Sequence, residues 1–208
     1  MYLPRAFRED DRETLHAFIE RHAFAMLVIA PPNAELAIAH VPAVLDRAVG
    51  SHGRLRLHVA AANPIWRLAL ATGHATVIFS GPHGYVSARW YETPTEQVPT
   101  WNYAVVRAEC TPERLAGPEL VTMLDDLVSV HEGAGPEAWS TRLLSPALRD
   151  ALLLEIVGLA LHITKLEGKL KLSQNRSEID RARVVEGLAE RGGADDLELV
   201  ALMRRPRT

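Results

Sequence analysis

Hydrophobic periodicity divides the N-terminal third of the chain into one helix and three strands. Apolar residues at three- and four-residue spacing predict a helix over 10–22, and a continuous apolar run predicts a strand over 24–30. Residues 35–46 predict a second strand that must have an edge or a bulge at Pro42, because proline lacks a ladder donor. Strict alternation over 54–60 predicts a third, half-buried strand.

The rest of the chain continues the same two patterns. Apolar runs predict strands over 74–80, 85–90, 102–110 and 156–171. Periodic runs with suitable caps predict helices over 63–72, 118–131, 148–155, 177–191 and 195–203. The segment Gly81-Pro82-His83-Gly84 predicts a turn between two strands, and Gly168 predicts a bulge or a close backbone approach.

These elements favour a mainly β protein with α additions, built as a closed or split β-barrel with helices packed outside. A doubly wound parallel sheet would need regular alternation of strand and helix, which fails over 35–60. We expect one domain, with the barrel and its helical additions over 1–190 and a C-terminal helix and tail over 191–208.

Composition fits a soluble globular protein. The chain has 208 residues, of which 48% are hydrophobic and 24% are charged. No apolar run approaches the roughly 20 residues that a membrane span needs. The first residues carry early charges and lack the apolar core of a secretory signal. Cys110 is the single cysteine, so no intrachain disulfide can form, and we expect a cytoplasmic location.

Net charge gives little support for direct DNA binding. The formal net charge is −3, whereas a compact DNA-binding domain usually carries a basic excess. Basic residues gather locally at Lys165, Lys169, Lys171, Arg176, Arg181, Arg183, Arg204, Arg205 and Arg207. DNA contact is therefore possible but unsupported by charge.

Common catalytic motifs do not occur in the sequence. The nine histidines include no HExxH pattern, and no metal site is predicted. No nucleophile elbow, phosphate-binding Walker loop or Rossmann glycine fingerprint occurs. No paired-carboxylate pattern singles out an acid or a base, so no catalytic residue is assigned.

The stretch from Val77 to Tyr103 concentrates Trp, Tyr, His and Asn beside predicted turns. Such a set suits a flat aromatic ligand that is stacked and hydrogen-bonded. The alternative is that these aromatic residues are anchors of the core or of a dimer interface.

Three segments carry a resemblance to a known family. GPHGYVSARWY, VPTWNYAVV and LEGKLKLSQNR resemble the PaiB family of FMN-binding negative transcriptional regulators, and the likeness extends from Met1 to about Val185. The resemblance implies a flavoprotein with an FMN-binding split barrel that forms a homodimer. It makes FMN the expected cofactor.

An FMN site needs partners for the phosphate, for the edge of the isoalloxazine ring and for the ring faces. Phosphate candidates are Asn63 and Arg67 at a helix start, together with Lys169, Lys171 and Arg176. Ring-edge candidates are His40, His58, Ser87, Asn102 and Gln174, and ring-face candidates are Trp90, Trp101 and Tyr103. The structural alternatives are simple capping, a solvated basic strand face, and histidines that serve the fold.

Two functions follow from the resemblance. In the first, FMN is a sensed or structural ligand of a regulator that reduces gene expression. In the second, the chain is a flavin-dependent oxidoreductase of the split-barrel class. The residues do not choose between them, because no acid or base in a tuned environment can be identified.

Overall fold

The structure, a computed structural model, describes residues 1–32, 35–133, 135 and 137–205. Its helices are α1 (Arg12–Arg21), α2 (Ile65–Thr72), α3 (Gly117–Glu132), α4 (Pro146–Leu154), α5 (Glu178–Arg191) and α6 (Ala194–Arg204). Its strands are β1 (Arg8–Glu9), β2 (Phe24–Ile29), β3 (Ala37–Pro42), β4 (Val44–Asp46), β5 (Arg54–Ala60), β6 (Ala75–Val86), β7 (Thr100–Arg114) and β8 (Ile156–Lys171). Residues 206–208 of the predicted tail lie outside the described ranges.

The strands form one mixed-length sheet in the order β3-β2-β6-β7-β8-β5-β4, and β1 pairs with β8. The pairs β2–β3, β2–β6, β4–β5, β5–β8 and β1–β8 are antiparallel. The first and last strands of this order, β3 and β4, are separated in the chain only by Ala43. A sheet whose two ends are chain neighbours must curl, which gives the split β-barrel that the sequence predicts.

Pro42 marks the point where the chain changes partner. The strand before it pairs with β2, and the strand after it pairs with β5. The amide of Ala43 donates to the carbonyl of Ala23 at 2.9 Å, so the break is tied to the end of β2. The predicted interruption is confirmed, because a residue without an N–H cannot continue the ladder.

The predicted turn over Gly81-Pro82-His83-Gly84 is wrong, because β6 runs straight through it. The reason is a tertiary contact at Gly84. A Cβ there would lie 2.9 Å from Leu199 and 3.0 Å from Asp196 of α6, so the glycine allows the helix to approach the strand. The predicted strand over 85–90 ends at Val86, and Ala88–Trp90 forms a 3₁₀ turn.

Gly168 is a close-approach glycine within an unbroken β8. It pairs with Glu9 of β1, and a Cβ on it would lie 2.3 Å from Cδ2 of Leu15 in α1. The predicted boundaries of β5 and β8 match the structure, and Ser177 caps α5 by accepting from the amide of Asp180 at 3.1 Å.

Two compact units divide the chain. Unit 1 comprises Met1–Leu15, Ser80–Val106 and Glu167–Thr208, and unit 2 comprises His16–Phe79 and Arg107–Leu166. Buried side chains of unit 1 include Tyr91, Val184, Leu188, Leu199 and Met203. Those of unit 2 include Leu27, Leu55, Leu57, Phe79, Leu159 and Leu161. No helix in the described ranges is both long and apolar enough to cross a bilayer.

Candidate functional site

Lys169 is a buried cation in unit 1, with only 9% of its surface exposed. Its Nζ lies 5.3 Å from the ring centroid of Tyr103 and 5.6 Å from that of Tyr2. No carboxylate in the described ranges forms an ion pair with it. Burying a charge without a counter-charge is costly, so this site is suited to an anion.

Lys171 follows on the same face of β8, because side chains two residues apart in a strand point the same way. Its Nζ donates to Oγ1 of Thr100 and to the carbonyl of Trp101, both at 2.6 Å. Burial, and then the positive charges of Lys169 and Arg176, lower the pKa of Lys171. The three cations are thus close enough to repel one another.

Arg176 completes this group from the loop after β8. Its guanidinium carbon lies 4.7 Å above the ring of Tyr91, and the guanidinium donates to Oε1 of Gln97. The loop turns at Ser173, which has a φ of 62°, and the amide of Arg176 donates to the Ser173 carbonyl at 3.1 Å. The arginine is therefore held at a defined place rather than free on the surface.

Lys169, Lys171 and Arg176 form a cationic cluster in which no member is paired with a described carboxylate. Lys171 donates only to neutral oxygens, Oγ1 of Thr100 and the carbonyl of Trp101, so these contacts do not compensate its charge. Several uncompensated, partly buried cations are the donor set that a phosphate dianion needs. The residues present fit the phosphate of FMN.

Trp101 is an exposed aromatic residue beside the cluster, with 51% of its surface accessible. His83 stacks on it at 6.1 Å between centroids, and Tyr85 meets it edge-on at 6.0 Å. Its own carbonyl accepts from Lys171. An exposed indole joined to the cluster through its own backbone can contact a flat ring whose phosphate is bound nearby.

Two predicted ring-edge residues of unit 1, Asn102 and Gln174, use their polar atoms inside the protein. Asn102 is fully buried, where it accepts from Oγ of Ser173 at 3.1 Å. Gln174 donates to the carbonyl of Leu170 and accepts from the amide of Leu172 at 2.6 Å. These contacts hold the loop that carries Arg176.

Ser87 and Trp90 also make internal contacts. Oγ of Ser87 accepts from the amide of Arg89 at 3.2 Å and caps the 3₁₀ turn. Trp90 packs on the backbone of Gly187 in α5, and the guanidinium carbon of Arg191 lies 5.4 Å from its ring centroid. Trp90 therefore joins α5 to the turn, whereas the sequence favoured it as a ring face.

Asn63 and Arg67 lie at the start of α2 in unit 2. Oδ1 of Asn63 accepts from the amide of Ile65 at 3.0 Å, but the N-cap of α2 is Pro64 rather than the predicted Asn63. Arg67 is exposed, with its guanidinium carbon 4.3 Å from the ring centroid of Trp66. The guanidinium of Arg67 therefore contacts the indole of Trp66.

His40 and His58 are the remaining predicted residues, both in unit 2. His40 is exposed on β3 and stacks on Phe24 at 6.2 Å. His58 is half-buried on β5, its Nδ1 is buried without a hydrogen-bond partner, and burial lowers its pKa. His58 is therefore a neutral imidazole at ordinary pH.

Sequence reasoning missed Tyr2, Thr100 and Gln97, which contact the three cations. Thr100 is adjacent to the aromatic motif, and its neighbour Trp101 was a candidate, so motif proximity could have found it. Tyr2 and Gln97 carry no local signal, because their roles depend on β1 and the loop before β7 folding onto β8.

Comparison with known proteins places the chain in a family. The family model described as "Putative FMN-binding domain" matches residues 1–165. "Protease synthase and sporulation protein PAI 2" of Bacillus subtilis is 31% identical over 205 residues, which cover 98% of this chain and 96% of that protein. An uncharacterized protein of Aspergillus fumigatus is 28% identical over 240 residues, covering 92% of each chain.

Solved structures share the fold. The flavocytochrome Anf3 of Azotobacter vinelandii superposes with a TM-score of 0.64 at 17% identity, covering 86% of this chain and 78% of that one. The FAD and heme binding protein of Mycobacterium smegmatis gives 0.61 at 22% identity, covering 84% and 78%. The family match and the nearly full-length likeness to the Bacillus protein lead to one conclusion: the chain belongs to the family described as "Putative FMN-binding domain".

Proposed function

We propose that unit 1 holds FMN with its phosphate on the cationic cluster and its ring beside Trp101. The observation that carries this proposal is Lys169, a lysine nine-tenths buried that has no carboxylate partner among the described residues. When bound, FMN supplies a phosphate dianion and a flat, redox-active ring. The dianion neutralises the cluster, and the charge repulsion that lowers the pKa of Lys171 is then offset.

The protein's own residues bind and orient the ligand. Tyr103 lies within 5.3 Å and 6.0 Å of the two lysine nitrogens and keeps bulk water away from one side of them. Thr100 and the Trp101 carbonyl fix the position of the Lys171 ammonium. A pre-positioned cation loses less side-chain entropy on binding, which favours affinity.

The output of binding is regulatory in this proposal. Support comes from the likeness to the Bacillus subtilis protein, whose name associates it with protease synthesis and sporulation. The protein acts in the cytoplasm as a homodimer and negative regulator of transcription. It reaches its targets through a partner or a signal rather than by reading DNA alone, because the net charge is −3.

The proposal is tested by comparing FMN with riboflavin, which lacks the phosphate. The variant is Lys169→Met with Lys171→Met, which keeps the aliphatic stems and removes both charges. Each lost charge-assisted hydrogen bond costs about 1.5–3 kcal/mol, so FMN affinity falls by roughly tenfold or more, whereas riboflavin affinity changes little. Flavin fluorescence quenching measures both. The control is Arg142→Gln with Arg183→Gln, two exposed arginines outside the cluster.

Three outcomes decide between readings. Equal losses for FMN and riboflavin place the phosphate away from Lys169 and Lys171. Absence of flavin binding by the wild-type chain removes FMN from the proposal. Steady-state oxidation of NAD(P)H by the FMN-loaded protein makes it an oxidoreductase rather than a regulator.

A further inference from the structure

We propose a second anion site in unit 1, separate from the cationic cluster. A cavity of about 400 Å³ opens beside β1, α1, the end of β8 and helices α5 and α6. We call it the arginine cavity, because four arginines line it: Arg5, Arg8, Arg181 and Arg205. Its apolar walls are Leu170, Leu172 and Leu202.

None of the four arginines forms an ion pair with a carboxylate in the described part of the chain. Three carboxylates also line the cavity, and two of them are engaged with backbone at the start of α1. Glu9 accepts from the amide of Asp11 at 2.8 Å, and Asp11 accepts from the amide of Thr14 at 2.8 Å. The third, Asp10, is exposed to solvent. These carboxylates keep their negative charge, so four guanidinium groups against three carboxylates leave the concave space with a small positive excess.

Arg181 is held in place on the wall of the arginine cavity. One terminal nitrogen of its guanidinium donates to the carbonyl of Met203. Its Nε is buried and has no hydrogen-bond partner. A buried donor without a hydrogen-bond partner destabilises the folded protein, and a ligand oxygen would supply the missing acceptor.

The arginine cavity and the cationic cluster lie on opposite faces of β8. Leu170 lines the cavity and sits between Lys169 and Lys171 in the strand, so its side chain points to the other face. Gly168 and Leu170 share that face, and Gly168 is where Leu15 of α1 approaches the strand. Neither lysine lines the cavity. An anion in it is therefore a different ligand group from the phosphate on the cluster.

The geometry points to a small, multiply charged anion with a short apolar part, either phosphorylated or polycarboxylate. Guanidinium groups pair in a two-pronged manner with both phosphate and carboxylate oxygens. A volume of about 400 Å³ lies within the range of small-molecule pockets. Three leucines on the wall provide contact for a carbon skeleton. A polymer such as DNA would instead need an extended basic surface.

The test uses full-length, FMN-loaded protein and titration calorimetry with two probes, inorganic pyrophosphate and citrate. The variant is Arg8→Gln with Arg205→Gln, since both side chains are exposed and form no ion pair with a described residue. The charge-matched control is Arg142→Gln with Arg183→Gln, which line no part of the cavity. We expect one binding event per chain with at least one probe. Its affinity falls about tenfold or more in the variant and stays within about twofold in the control.

The pattern across probes identifies the ligand class, with pyrophosphate favouring phosphorylated compounds and citrate favouring polycarboxylates. The proposal is overturned if neither probe binds the wild type, or if variant and control lose affinity equally. It is also overturned if the variant loses FMN together with the probe, because the cavity would then be the FMN phosphate site. Salt-dependent binding of duplex DNA, lost in the variant while neither probe binds, would assign the arginines to nucleic acid instead. FMN retention, read from flavin absorbance, separates failure of this site from failure of the FMN proposal.

Discussion

Gly187 and Trp90 touch so closely that no larger residue fits at position 187. A Cβ built on this glycine would lie 2.4 Å from two ring carbons of Trp90 and 2.7 Å from its Nε1. The glycine occurs in the middle of α5, where its helix propensity is poor. Its presence is explained by the indole, which joins α5 to the turn at Ala88–Trp90.

Gly187→Ala therefore destabilises the protein, although alanine is the better helix former. Overpacking of this kind costs about 1–3 kcal/mol, more than the roughly 1 kcal/mol that the propensity change gains. Urea unfolding measures the difference in free energy of unfolding. Gly117→Ala is the matched control, because a Cβ on this helical glycine of α3 meets nothing within 4 Å. A stabilised Gly187→Ala variant would mean that the indole moves away at little cost.

His58 makes stability depend on pH on the acid side. Burial lowers its pKa below the ordinary 6.5, so the unfolded chain binds more protons than the folded one just below that pH. The contribution of His58 to stability is therefore fully present above pH 6.5 and decreases as the pH falls towards the folded-state pKa of His58. His58→Gln removes this contribution and flattens the curve of unfolding free energy between about pH 7.5 and pH 5. His131→Gln, the same substitution at an exposed histidine, is the matched control.

Cys110 is predicted to be unreactive in the folded protein. It is 1% exposed on β7, and burial, followed by the charge of Glu109, raises the pKa of its thiol to about 12. The thiolate is the reactive form, so iodoacetamide at about pH 8 leaves the native thiol intact. The same reagent labels the chain in concentrated guanidinium chloride, and mass spectrometry counts the adducts. Labelling of the native protein at the rate of a free thiol would contradict this burial.

Local patterns were enough to predict most elements of the fold. The alternation over 54–60 and the long run over 156–171 gave the bounds of β5 and β8, since periodicity reports burial directly. Pro42 marked the break between β3 and β4 for a reason that any proline carries. The turn expected at Gly81–Gly84 failed because the role of Gly84 depends on α6, which follows it by more than a hundred residues.

Some features of the candidate site could likewise be predicted from local sequence, and others could not. The spacing of Lys169 and Lys171 placed them on one face of a strand, and that relation holds. Burial of Lys169 was not predictable, because its neighbours include Tyr2 and Tyr103, whose positions beside β8 depend on the tertiary fold. Asn102 lies beside an exposed Trp101, yet it is fully buried, because neighbours in a strand face opposite ways.

Arg56 in unit 2 is a buried cation that is hydrogen-bonded to two aspartates. Its side chain is buried at 7% exposure, and it donates from Nε and Nη2 to Asp46 at 2.8 Å and 2.7 Å. The same Nη2 donates to Asp126 at 2.7 Å. Burial alone would lower the pKa of Arg56, but the bonds to both aspartates outweigh it and the pKa is raised. The guanidinium thus holds two carboxylates together.

Arg56→Met removes the cation that joins Asp46 to Asp126, whereas Asp46 keeps its bond to Arg54. Removing one partner of a fully buried ion pair costs about 3–5 kcal/mol, but Asp46 and Asp126 are 19% and 45% exposed, so we expect a smaller loss of about 1–3 kcal/mol. Arg47→Met is the control, since Arg47 and Glu20 are 37% and 46% exposed and such pairs contribute about 0–1 kcal/mol. Urea unfolding of both variants at neutral pH gives the comparison. Similar losses of unfolding free energy in the two variants would contradict a structural role for Arg56. A larger loss confined to Arg56→Met would show that Arg56 links β4, β5 and α3.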